Sequence, residues 1–302
     1  VSPAHRVPLS EGKRAERRLG IWLAAPAAVV MVLVTGWPIV YSVLLSFQRY
    51  DLRFPHDKRW IGLSNYATVL TNAFWWHAFV VTVIITVVSV AVELVLGMLL
   101  ALAMHRTLVG RGLVRTIVLI PYGIVTVVAA FSWQFAWTPG TGYLAALFPS
   151  GTAPLTHQAS AIAIVILAEV WKTTPFMALL LMAGLAVVPD ELQRAAAMDG
   201  ATIWQRFTRV TLPLMKPAIL VALLFRMLDA FRVFDNIYIL TNGAQGTSSV
   251  SIIAYHNLIG GLNLGLGSTM SVLIFISVAI IAAIFIKGFG TAAPGTDPKG
   301  GR

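Results

Sequence analysis

Charged side chains inside long apolar stretches are the first feature with chemical content. The segment FRMLDAFRVFDN places Arg226, Asp229, Arg232 and Asp235 at successive i, i+3 positions, followed by Asn236. A second segment, AEVWKTTPF, carries Glu169, Trp171 and Lys172 ahead of Pro175, and Glu93 stands alone in a third apolar stretch. An ionisable group at the centre of a bilayer costs roughly 3 kcal/mol or more, so such groups pair with one another or face a water-filled cavity. Two readings follow for the stripe of alternating sign. It can neutralise itself along one helix face and bind that helix to its neighbours, or it can form the wall of a polar path. Glu169, Trp171, Lys172, Arg226, Asp229, Arg232, Asp235 and Asn236 are the candidates for such a path. Glu93 is predicted to pair with a basic residue from another helix.

These residues need a membrane to give them meaning, and the composition supplies it. Of 302 residues, 58% are hydrophobic and only 11% are charged, against about 25% charged in a soluble domain. About 20 apolar residues in a helix cross a hydrocarbon core. Six stretches meet that length, near 20–47, 78–104, 113–137, 161–186, 217–240 and 268–289. None alternates as a barrel strand would. The expected fold class is therefore an all-α integral membrane protein with six transmembrane helices, spanning 19–289 between polar tails at 1–18 and 290–302. The first span has a basic flank like a signal peptide, but its apolar run is too long for one and reads as a retained anchor.

The net charge of +10 reports topology. Arg6, Lys13, Arg14, Arg17 and Arg18 precede the first span. Arg106 and Arg111 lie in the second connection, Arg194, Arg206, Arg209 and Lys216 in the fourth, and Lys287, Lys299 and Arg302 in the tail. The third and fifth connections have no Lys or Arg. The positive-inside rule puts both termini and the second and fourth connections in the cytoplasm. The first external connection dissents with Arg49, Arg53, Lys58 and Arg59. No basic face is interleaved with aromatics, so nucleic acid is not an expected partner. By the same depth argument Asp229 lies roughly 18 Å from the cytoplasmic end of its helix, near the midplane.

The fourth connection, 187–217, reads VVPDELQRAAAMDGATIWQRFTRVTLPLMKP. Pro189, Asp190 and Glu191 suit a helix start, and Leu192, Ala195, Ala196 and Met198 give it a small apolar face. Gly200 permits a sharp turn. Ile203, Trp204, Phe207 and Val210 then recur at helical spacing, and Pro213 and Pro217 are expected to stop that helix before the next span. Shape alone leaves two readings open: an interfacial helix lying in the headgroups, or a docking element for a cytoplasmic partner.

The spacing in this connection resembles the cytoplasmic loop of the ABC-importer permeases, which follows Glu-Ala-Ala, three residues, Gly, nine residues, Ile, one residue, Leu-Pro. Here the match runs through Arg194-Ala195-Ala196, Gly200, Val210 and Leu212-Pro213. Arg194 reverses the charge of the family's Glu, with Glu191 one turn earlier. The segments WKTTPFMALLLMAGLAVVPDELQRAA and FDNIYILTNGA are similar to the maltose-type sugar branch. More narrowly, VLIPYGIVTVVAAFSW, AEVWKTTPFM and LLFRMLDAFRVFDNIY are similar to permeases of trehalose importers. The resemblance covers about 18–290. It implies a type I ABC-importer permease fold with a cytoplasmic coupling helix, in the cytoplasmic (plasma) membrane. Residues implied to contact the ATPase are Glu191, Arg194, Ala195, Ala196, Asp199, Gly200, Ala201, Phe207, Leu212 and Pro213. Implied partners are a second permease, a dimeric ABC ATPase that binds ATP and Mg, a lipid-anchored external binding protein that can reach the 241–250 loop, and trehalose as cargo.

The chain itself shows no phosphate loop of the G-x-x-x-x-G-K-[ST] type, no nucleophile elbow and no H-E-x-x-H helix. Its six His are scattered and it has no Cys. No cofactor, metal site or catalytic residue is therefore expected. The alternative from another class is an ion-coupled secondary transporter using Glu93, Glu169 or Asp229 as its ion site.

Overall fold

The computed structural model describes residues 11–106, 110–149 and 153–292. Arg6, Lys299 and Arg302 lie outside the described residues. The described chain is almost wholly helical. Five helical segments are long and apolar enough to cross a membrane: Arg18–Ser46, Ala73–His105, Gln158–Leu185, Ile203–Leu240 and Leu264–Gly288. A sixth crossing is a bent pair, Gly112–Gly123 and Thr126–Ala136, turned by 83°.

In chain order the first crossing comprises α1 (Glu11–Met31) and α2 (Trp37–Ser46), joined by a π-helical turn, Val32–Gly36. A two-stranded antiparallel hairpin, β1 (Gln48–Arg49) with β2 (Arg59–Trp60), and α3 (Ser64–Leu70) follow. The long α4 (Ala73–Arg106) is the second crossing. The bent third crossing is α5 (Arg111–Gly123) and α6 (Thr126–Ala136). The fourth is α7 (Gln158–Leu185), which passes through Pro175 without a break. The exposed α8 (Asp190–Met198) precedes α9 (Ile203–Arg206), a π turn at Phe207–Thr211 and α10 (Leu212–Ala230). Short helices α11 (Asp235–Leu240) and α12 (Val250–Tyr255) lead to the last crossing, α13 (Leu264–Ala292).

Three sequence expectations change. The third crossing is not one straight helix: Ile124 and Val125 are extended between α5 and α6. Pro121, inside α5, offers no N–H to the helix ladder there, and Gly123 ends it. Pro213 and Pro217 do not stop the fourth-connection helix, because the backbone is helical from Ile203 to Ala230. The wide turn at Phe207–Thr211 sends the Leu212 N–H back to Phe207 O and sets Pro213 in the first turn of α10, where its missing N–H costs least. A similar turn at Val32–Gly36 precedes Trp37-Pro38. Finally, the four-residue charged stripe is interrupted. α10 ends at Ala230, so Arg232 lies in a turn and Asp235 opens α11.

Lipid tails are as apolar as Leu, so contact density rather than water exclusion holds membrane helices together. The packing reflects this. Gly97 of α4 lets Met177 of α7 approach; a Cβ there would lie 2.7 Å from Met177 Cγ and 3.2 Å from the Ala178 nitrogen. Gly184 of α7 does the same for α10, where a Cβ would lie 2.5 Å from Ala218 Cβ. Met177, Leu181 and Met215 are fully buried at this three-helix junction. A second core joins α4, α6, α7 and α11 through Ile85, Val165 and Ile237, and a third joins α4, α12 and α13 through Ala78, Val250 and Met270.

The ends opposite α8 are tied by polar contacts. Asn65 donates from Nδ2 to the carbonyls of Ser46 and Gln48, both at 2.9 Å. The Gly265 N–H bonds Tyr50 O at 3.0 Å and the Leu52 N–H bonds Leu262 O at 2.9 Å. In the fifth connection Thr247, Ser248 and Ser249 are buried. Ser249 Oγ bonds Val233 O at 3.0 Å and caps α12 by accepting the Ile252 N–H at 3.2 Å. This connection is a folded plug. The first crossing is the opposite case: only 6% of its most apolar window is buried against the rest of the chain.

A Val at Gly184 must push on Ala218, whose Cβ cannot rotate away. Overpacking of this kind costs about 1–3 kcal/mol. Gly184→Val is expected to lower the thermal midpoint of the detergent-solubilised protein, whereas Gly20→Ala, inside α1 with nothing within 4 Å, is expected to hold or slightly raise it.

Candidate functional site

The apolar stretches converge on one buried polar cluster. Glu93 sits two-thirds of the way along α4, Thr173 at the middle of α7 and Arg226 one turn from the end of α10. Arg226 Nε donates to Glu93 Oε2 at 2.6 Å and Nη2 to Glu93 Oε1 at 2.9 Å. Nη2 also lies 3.1 Å from Thr173 Oγ1, which is 2.7 Å from Glu93 Oε1. Both charged side chains are within 1% of complete burial. The planar guanidinium presents two parallel donors to the two carboxylate oxygens, the strongest geometry available to such a pair. Arg226 Nη1 also reaches Asp229, whose own side chain is 74% exposed. The basic partner expected for Glu93 is thus Arg226.

Beside this clasp is a polar cavity of about 430 Å³, lined by Tyr122, Thr126, Glu169, Lys172, Thr173, Asp229, Arg232, Phe234 and Asp235, with Val233. It is within the range of small-molecule sites. Of the eight path candidates, five line it: Glu169, Lys172, Asp229, Arg232 and Asp235. Arg226 is sealed behind it in the clasp. Asn236 is buried and donates from Nδ2 to Glu169 Oε1 at 2.8 Å, holding that carboxylate in place. Trp171 faces another groove with Pro121 and Pro175, its ring edge-on to Trp133 at 6.0 Å. Trp133 is half-buried, and Trp137, at the end of α6, is buried and meets Phe148.

Lys172 has a second task. Its Nζ donates to Ile124 O at 3.0 Å, a carbonyl released by the break between α5 and α6. An unpaired carbonyl at this depth would cost several kcal/mol, so the cation on α7 makes the bend in the third crossing tenable. The same ammonium lies 5.7 Å from the Tyr122 ring. Tyr122 and Thr126 were not singled out by sequence. The available signal was Pro121 and Gly123 inside an apolar run, since irregular backbone at membrane depth occurs where it lines a cavity. No group of His, Cys, Asp and Glu that could hold a metal occurs among the described residues.

At the other end of α10, α8 stands away from the body. Its residues are exposed except for half-buried Gln193 and Ala196. Gln193 Nε2 donates to Thr211 Oγ1 at 2.8 Å and tethers the helix. Glu191, Arg194, Ala195 and Asp199 are exposed, and Met198 is 90% exposed. Gly200 takes φ +79°. Its N–H bonds Ala197 O and the Ala201 N–H bonds Ala196 O, the paired bonds of a Schellman stop. Thr202 and Gln205 then exchange reciprocal side-chain bonds as a capping box that starts α9. Gly200 thus turns the chain between two capped helices. Phe207 and Leu212 lie on the far side, lining a groove against α4 together with Pro213.

Six crossings, a polar cavity closed by helix breaks and a projecting helix on one connection define a multi-pass membrane transport permease. Residues 93–290 match the family of binding-protein-dependent transport system inner membrane components, and the chain belongs to that family. It is 63% identical over 288 residues to the "Trehalose transport system permease protein SugA" of Mycobacterium tuberculosis (strain ATCC 25618 / H37Rv), covering 95% of this chain and 94% of that one. It is 39% identical over 286 residues to the "Trehalose/maltose transport system permease protein MalF" of Thermococcus litoralis (strain ATCC 51850 / DSM 5473 / JCM 8560 / NS-C), covering 92% and 96%. Its fold is similar to a chain of a bacterial alginate ABC transporter crystallised with an alginate pentasaccharide-bound periplasmic protein. There the TM-score is 0.76 at 22% identity, over 90% of this chain and 94% of that one. These relatives are transport subunits and not enzymes. The chain is accordingly an inner-membrane, multi-pass permease subunit, and the secondary-transporter alternative is set aside.

Removing one partner of a buried ion pair strands the other, at a cost of about 3–5 kcal/mol, while an apolar replacement of both is far better tolerated. Arg226→Met is therefore expected to unfold at a markedly lower temperature than the parent, and Glu93→Leu/Arg226→Met is expected to recover most of the loss. Thermal unfolding of the three purified proteins checks this.

Proposed function

We propose that this permease forms half of a translocation pore for an α-linked disaccharide, trehalose, and moves it inward by alternating access driven by ATP. The observation that carries the cargo assignment is the 63% identity, over almost the whole of both chains, to a trehalose-system permease. The cavity is chemically suited to a polyol. Glu169, Asp229 and Asp235 accept hydrogen bonds, Lys172, Arg232, Tyr122 and Thr126 donate them, and the rings of Tyr122 and Phe234 offer apolar faces. Sugar recognition needs both kinds of surface.

In this reading both termini, the second connection and α8 are cytoplasmic, as the distribution of Lys and Arg indicates. A second permease completes the pore, an external lipid-anchored protein delivers sugar, and a dimeric ATPase binds ATP and Mg at its own site. α8 is the coupling helix. Small side chains at Ala195 and Ala196 let the ATPase surface approach the backbone, and Glu191, Arg194 and Asp199 supply charges at its rim. α8 is joined through the turn at Gly200 to the helical rod Ile203–Ala230, so force applied at Glu191–Gly200 is passed through that turn and along the rod to Asp229. The charge reversal at Arg194 predicts an acidic counterpart on the ATPase.

The deciding experiment reconstitutes the chain with its second permease, ATPase and binding protein in liposomes and measures ATP hydrolysis with and without trehalose. Trehalose-stimulated hydrolysis that requires this chain is the expected result. Assembly with an unresponsive ATPase would remove trehalose as cargo. In the same system, Ala196→Trp/Gly200→Val is expected to insert and fold yet to lose most sugar-dependent hydrolysis. A Trp fills the docking face, and a β-branched residue is strained at φ +79°.

A further inference from the structure

A second, larger cavity lies away from the polar site. It is a groove of about 1130 Å³ between α4 and the α9–α10 rod. Its walls are apolar along most of their length, including Leu99 and Leu102 of α4 and Phe207 and Ile219 of the rod, and its basic residues are Arg206 and Lys216. The two uncharged polar groups at its α8 end, Gln193 and Thr211, bond each other. Among the described residues the cations have no such partner. Arg206 Nε is buried without a hydrogen-bond partner, and neither Arg206 nor Lys216 forms an ion pair among the described residues. Trp204, 70% exposed beside Arg206, also lines the groove, and Trp belongs at headgroup depth.

An apolar trough with an unneutralised Arg206 near one end, and a second cation, Lys216, about 15 Å further along the rod, matches one occupant in form: a fatty acyl chain with an anionic headgroup. From Arg206 to Ile219 the rod rises about 20 Å, so the groove runs from the headgroup layer well into the hydrocarbon. Basic pockets between spans on the cytoplasmic side are where anionic lipid headgroups bind. With the orientation given above, we infer that this groove is a binding site for an anionic phospholipid of the cytoplasmic leaflet. Arg206 holds its phosphate, Lys216 extends toward the headgroup layer from further along the rod, and the trough takes one acyl chain. The lipid would sit directly behind the helix that carries α8, filling space that a rigid coupling rod cannot leave empty.

The test uses the assembled transporter in neutral detergent, stripped of lipid and titrated with dioleoyl-phosphatidylglycerol or dioleoyl-phosphatidylcholine, with bound lipid counted by native mass spectrometry. The expected preference for the anionic lipid is about thirty-fold, from roughly five-fold per basic residue near the headgroup. In Arg206→Gln/Lys216→Gln it is expected to fall close to one. Equal retention of both lipids by the parent, or an unchanged preference in the double variant, overturns the proposal. Should the double variant not assemble, Leu99→benzoylphenylalanine irradiated in native membranes decides. A mass gain of one anionic phospholipid supports the site, and a cross-link to a second permease, an ATPase or a zwitterionic lipid refutes it.

Discussion

The structure depends on one ion pair. Arg226 and Glu93 meet in a region where neither could exist alone, and Thr173 completes the hydrogen bonding between them. The three residues come from α10, α4 and α7, so a single clasp fixes the relative height and rotation of three crossings. Apolar packing cannot do this as well, because one Leu against another is satisfied at several registers, whereas a bidentate pair is satisfied at one. Everything around it follows from that register: Gly97 meets Met177, Gly184 meets Ala218, and Glu169 and Asp229 come to face a common cavity.

Much of this was legible in the sequence. Apolar length gave the crossings, and a lone Glu93 in an apolar run demanded a basic partner. What sequence could not supply was which one. Arg226 and Arg232 stand at equivalent positions of an apparently regular stripe, and only the end of α10 at Ala230 separates them into one buried structural group and one cavity group. The bent third crossing was missed for a related reason. Its run is apolar enough to cross as a straight helix, and the compensation that permits the bend, Lys172 on Ile124 O, comes from a residue 48 positions away. Local signals cannot announce a non-local remedy.

The prolines teach a complementary lesson. Pro213 and Pro217 look like stops, and in a strict α-helix the first would clash with the carbonyl four residues earlier. Inserting one wide turn removes that conflict at the cost of a slightly poorer hydrogen-bond ladder. The outcome is a continuous helical connection from α9 to the cavity where a break was expected.

That continuity sets a mechanical ratio. From Ile203 to Arg226 the rod is about 35 Å long, and from Arg226 to its end at Ala230 about 6 Å. If the clasp is the fulcrum, the rod is a lever of about six to one. A displacement of 6 Å at Ile203, where the rod begins, would arrive at its Ala230 end as about 1 Å.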